Sequence, residues 1–115
     1  MSRFLVLAVL ILGTSGCGHK GKVLGKAPQD PHTTVLAIHA GDAPARLTLE
    51  GTMVERCPQA GCWFRIDDGT GVIKVDTKNA GFVVTSVPLN AKVKVAGKLH
   101  HLEDDVQIDA TGLTY

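Results

Sequence analysis

The segment Cys57-Pro58-Gln59-Ala60-Gly61-Cys62-Trp63 gathers two of the three cysteines and the single tryptophan of this chain. Thiols can pair as a disulfide, hold a soft metal or attack an electrophile, and the outcome depends on the redox compartment and on the groups around each sulfur. Four residues separate Cys57 from Cys62, so the two can lie opposite each other at the ends of paired strands. The Cα separation there, roughly 4.5 to 5.5 Å, is one that a disulfide tolerates. A bridge closing so short a loop adds on the order of 2 kcal/mol in the chain-entropy account, which leaves room for a functional reason for the pair. The alternative is a soft-metal site, Cu(I) above all, with Met53, His100 and His101 as candidates for a third ligand beside Cys57 and Cys62. The sequence requires no other cofactor.

The elements that position this segment follow from alternation. Leu47, Leu49, Gly51 and Met53 alternate with Thr48, Glu50 and Thr52, as in a half-buried strand. After the cysteine loop, Cys62, Phe64 and Ile66 take one face and Trp63, Arg65 and Asp67 the other. Asp68-Gly69-Thr70-Gly71 reads as a turn, and Ile73 and Val75 face inward on a third strand. Phe82 to Leu89 is a short apolar connection whose β-branched residues disfavour a long helix. Val93, Val95, Gly97 and Leu99 alternate with Lys92, Lys94 and Lys98, and a polar loop at His100 to Asp105 leads to a last strand through Val106, Ile108 and Ala110.

Five short, glycine-rich strands within about 70 residues, arranged as a meander, an irregular connection and a hairpin, predict an all-β, five-stranded Greek-key barrel of the OB type. A small sandwich is the alternative. The barrel is preferred because its long first strand must bend, and Gly51 sits where a bend is needed.

Strand parity puts Trp63 on the outer face with Arg65, the surface on which OB domains hold ligands. There the indole could stack on a sugar, a base or a proline, or else be covered by the apolar cluster Val35-Leu36-Ala37-Ile38. His100 and His101 are expected beside this face, as ligands or as a solvated turn. No serine-histidine-acid grouping, phosphate-binding glycine loop or paired carboxylates at a convincing spacing is present, so the expected role is non-enzymatic.

The compartment follows from the first residues. Arg3 precedes an apolar run, Phe4 to Leu12, too short to cross a bilayer as a helix, and small residues Gly13 to Gly16 lead to Cys17. This resembles a bacterial lipoprotein signal, with Thr14 where leucine is usual and Cys17 as the lipidated first mature residue. The expected organisation is residues 1–16 as signal peptide, 17–44 as lipidated cysteine and linker, and 45–115 as the domain. Such a protein is anchored to a membrane of the bacterial envelope, faces the periplasm and does not span the bilayer. It could meet a protein partner there. Loss of Arg3 with the signal takes 12 basic and 11 acidic residues to 11 of each. A neutral mature chain makes nucleic acid an unlikely partner.

Gly51-Thr-Met-Val-Glu-Arg-Cys57, Gly61-Cys62-Trp63, Asp68-Gly69-Thr70-Gly71, Gly81-Phe82-Val83 and Val93-Lys-Val-Ala-Gly97 together resemble a family of exported bacterial OB-fold proteins of unknown function. Its members are similar in a Cys-x4-Cys-Trp-Met motif followed by Gly-Phe-Phe-Val-Pro. Phe64 stands here in place of the methionine and Thr85 in place of the proline. The first difference removes a thioether that could ligate a metal.

Overall fold

The structure, a computed structural model, describes residues 21–115, so the expected signal segment and Cys17 lie outside the described residues. Its elements are β1 (Val23–Gly25), α1 (Val35–His39), β2 (Arg46–Arg56), β3 (Trp63–Asp67), β4 (Val72–Asp76), β5 (Lys92–His101) and β6 (Val106–Thr114).

Strands β2, β3 and β4 form the expected antiparallel meander. Strand β4 then lies parallel to β6, β6 pairs antiparallel with β5, and β5 returns to β2, which closes a five-stranded barrel. Closure identifies the OB-type arrangement and excludes the sandwich. It is possible because β2 serves two partners: Arg46 to Thr52 pair with β5, and Thr52 to Arg56 pair with β3. The change of partner falls beside Gly51, where a Cβ would stand 2.4 Å from the Asp67 carbonyl oxygen. Close approach of the β3 end therefore requires glycine there. A bulge at Val54 follows and turns the end of β2 outward.

The alternation read from the sequence sets the interior. Leu47, Leu49, Met53, Phe64, Ile66 and Val95 are fully buried. Burial of a side chain such as Phe64 contributes roughly 1.5–3 kcal/mol. Two plugs fill the ends of the barrel. Val35 and Ile38 of α1 enter at one, and Val84 and Val87 of the 77–91 connection at the other. That connection makes turns and contains no helix, as its β-branched composition predicts.

Helix α1 has five residues, too few to persist on propensity, and is held by side chains that take up its free N–H groups. Thr34 Oγ1 accepts from Ala37 N at 3.0 Å, Asp68 Oδ2 from Val35 N at 2.9 Å and Thr70 Oγ1 from Leu36 N at 3.0 Å. The Asp-Gly-Thr-Gly turn is thus the seat of α1.

The segment expected as a linker is part of the fold from its first described residues. Strand β1 pairs with the carboxyl-terminal half of β6, extending the edge that β4 leaves free. Thr33 N donates to Thr48 O and Thr48 N to Pro31 O, so residues 31–33 pair with the free edge of β2, where Thr48 is fully buried. The reason is edge chemistry: an open strand edge exposes unpaired backbone groups, and β1 satisfies those of β6. Among the described residues, no helix is long and apolar enough to cross a membrane.

Candidate functional site

The cysteine loop joins β2 to β3. Cys57 N donates to Trp63 O at 3.0 Å, so Trp63, not Cys62, stands opposite Cys57. Cys62 occupies the diagonal position, yet its Sγ still lies 3.9 Å from that of Cys57, with both residues partly exposed and free as thiols.

The connection from β4 to β5 props the loop from below. Gly61 O accepts from Val84 N at 2.9 Å and from Thr77 Oγ1 at 3.2 Å, and Cys62 O accepts from Thr77 N at 2.9 Å. Gly61 has a φ of 62°, and a Cβ there would meet Thr85 Cγ2 at 2.7 Å. Both facts demand glycine. In this conformation the backbone N–H groups converge on one sulfur. Hydrogen bonds from the Ala60 backbone first, then Gln59 and Cys62, with a smaller one from Gly61, outweigh desolvation and lower the Cys57 pKa from 9.0 to about 7.

The third ligands expected for a metal are not assembled. Met53 is fully buried in the core, as its parity with Leu47 and Leu49 dictates. Its N–H donates to Ala91 O just before β5, whereas His100 and His101 end that strand, roughly 30 Å further along at the strand rise. His100 Nδ1 lies 3.0 Å from Asp109 Oδ2 on the outer surface, and His101 is exposed. Among the described residues, no group of three or more histidine, cysteine, aspartate or glutamate side chains could hold a metal ion.

Trp63 lies on the outer face, as its parity requires. Helix α1 does not cover it, because α1 sits on the turn at the other end of β3. Two cations flank the ring instead: Lys74 Nζ is 5.5 Å from its centroid and Arg65 Cζ 5.8 Å. Arg65 and Lys74 are opposite each other in the β3–β4 register. Arg65 Nε also meets Glu55 Oε1 at 2.9 Å, an exposed pair of little energetic weight. Further along the same face a groove of about 250 Å³ runs between Arg65 and Lys74 on one side and Leu102 and Asp105 of the β5–β6 turn on the other, with His39 of α1 at its end. A larger depression, about 1260 Å³, lies across the barrel beside Gly51, Lys92 and Tyr115. It is a broad open surface lacking both the thiols and the indole.

Lys74 and His39 were missed as members of this face. Lys74 was within reach, since the four-residue turn sets the register that puts it opposite Arg65. His39 depends on where α1 docks, and no local pattern announces that.

The family model described as Bacterial OB fold (BOF) protein matches residues 19–114. Among solved structures, one titled as the hypothetical protein ygiW from E. coli aligns with a TM-score of 0.57 and 23% identity, covering 76% of this chain and 94% of that one. No curated protein matches the chain.

Proposed function

The chain belongs to the bacterial OB-fold family, and from that premise we propose that it is a non-enzymatic binding module, lipid-anchored through Cys17 and facing the periplasm, with its ligand on the outer face around Trp63. The observation that carries this reading is the half-buried indole flanked by Lys74 and Arg65, two residues that also line the groove. An aromatic ring offers a flat apolar surface, and a cation beside it draws a negative group to the same place. The ligand chemistry is therefore a flat face bearing an anionic group. An acidic sugar has both, and OB domains bind oligosaccharides on this side of the barrel.

Titration of Trp63 fluorescence with a uronic-acid oligosaccharide, against its neutral counterpart, tests the reading. The acidic probe is expected to shift the emission and the neutral one to do so far less, with Lys74→Ala weakening the acidic response. Equal responses to both probes, or none to either, would sink it. Recovery in the membrane fraction, lost in Cys17→Ser, tests the anchor separately.

A second reading is favoured by the 3.9 Å separation of the sulfurs: Cu(I) held by Cys57 and Cys62 alone. Reduced protein should then compete with a Cu(I) chelator, and Cys62→Ser should not.

A further inference from the structure

The cysteine loop has features that neither a staple nor a ligand face requires. The two sulfurs are in contact without being bonded, and the Cys62 thiol donates to the Cys57 sulfur. The loop is rigid at its base, where Thr77 and Val84 hold Gly61 and Cys62, while Pro58, Gln59 and Ala60 are exposed to incoming molecules. A partly exposed sulfur that accepts a thiol proton, and a second thiol within reach of it, are the parts of a disulfide-exchange centre.

We propose that Cys57 and Cys62 form a thiol–disulfide exchange site, with Cys57 as the attacking sulfur, Cys62 as the resolving one, and an exposed disulfide on a peptide or small thiol compound as substrate. The Cys57 thiolate attacks one sulfur of the substrate, forming a Cys57–substrate bond and expelling the other sulfur as a thiolate, which takes up the proton that Cys57 released on ionising. Cys62 then gives up its proton and attacks the Cys57 sulfur. The Cys57–Cys62 bond forms, the mixed disulfide breaks, and the second substrate thiolate leaves and is protonated. The dithiol is oxidised by two electrons and the substrate disulfide is reduced to two thiols. The last step brings the two sulfurs from 3.9 Å to a bond of about 2 Å, a closure within the reach of a five-residue step in sequence.

The site is independent of the ligand proposed for the outer face, but the two are joined in structure. Trp63 follows Cys62 and its carbonyl accepts the Cys57 N–H. Indole emission therefore reports the state of the pair.

The test uses the full chain with Cys17→Ser, so that two thiols remain, reacted at pH 7 with glutathione disulfide and read by mass. The wild-type pair should end as an internal disulfide with two glutathiones released. Cys62→Ser should stop at one glutathione adduct, on Cys57. Cys57→Ser should react severalfold slower, because Cys57 is the sulfur that accepts the thiol proton of its neighbour and Cys62 the one that donates it. In mixtures of reduced and oxidised glutathione, both states of the wild-type pair should be populated and interconvert. A pair that stays oxidised at every ratio is a staple only, and equal rates for the two serine variants remove the assignment of roles; either result overturns the proposal. Should a variant lose the Trp63 emission of the folded protein, the wild-type equilibrium alone decides.

Discussion

The two ends of β3 carry the same device put to opposite uses. At one end Asp68 and at the other Cys57 is an anion, or a group poised to become one, surrounded by backbone N–H groups. Burial pushes the Asp68 carboxyl up, but the Thr70 hydroxyl and the N–H groups of Val35, Thr70 and Gly71 outweigh it and hold its pKa below the usual value. One of those donors, Val35, is 33 residues away and belongs to α1, so the charge of Asp68 ties two parts of the chain together. Every donor to Cys57 comes from its own loop. Its charge ties nothing distant and stays free to react. Where the donors come from, more than how many there are, separates a structural anion from a chemical one.

The sharpest way to break this contrast is at Asp68. Asp68→Ala leaves the N–H of fully buried Val35 without its acceptor and should cost roughly 1–3 kcal/mol in urea unfolding, with loss of α1 docking. Gly61→Ala should cost about 1 kcal/mol or more, because a side chain at φ 62° also strikes Thr85; the same variant should slow alkylation of Cys57 by disturbing its N–H cluster. Cys57→Ser should leave the urea midpoint close to that of wild type while removing the fast-reacting thiol. If Cys57→Ser proves as destabilising as Asp68→Ala, the distinction between the two ends is wrong.

Acid and base separate them further. The folded-state pKa of Asp68 is depressed, so the stability it contributes is present above the unfolded carboxyl value of about 3.9 and is lost as pH falls through the lower folded value. The folded Cys57 pKa is depressed as well, from 9.0 to about 7. Its contribution is fully present above 9.0, declines as pH falls toward about 7 and is absent below that. Unfolding midpoints should thus drop at acid pH in wild type but less in Asp68→Asn, while the alkylation rate of Cys57 should rise with a midpoint near pH 7. The smallest effect is expected at Trp63: on the outer face, Trp63→Ala should change stability little and abolish only binding of the acidic probe, read by calorimetry.

The barrel was legible because its signal is periodic. The alternation of Leu47, Leu49 and Met53 and of Phe64 and Ile66 names the inner face directly, and the same parity puts Trp63 outside. Parity also speaks against Met53 as a ligand, since a residue that alternates with core leucines points into the barrel. What alternation cannot express is pairing between distant segments. The bonds of β1 to β6 and of Asp68 to Val35 connect residues far apart in sequence through backbone groups that every residue possesses. The cluster around Cys57 is likewise a product of loop conformation, and Gly61 is its one trace in the sequence.

Strand β1 also decides how far the domain can roam. Lys22 and Tyr115 exchange both backbone hydrogen bonds, at 2.8 and 3.0 Å, so the polypeptide enters the fold beside its carboxyl terminus. With Cys17 acylated as proposed, the leash between lipid and fold is five residue steps, at most about 18 Å. A flexible linker over residues 17–44 would let the barrel range freely above the bilayer; so short a one would hold it near the headgroups. The reachable partners are then those at or just above the membrane surface.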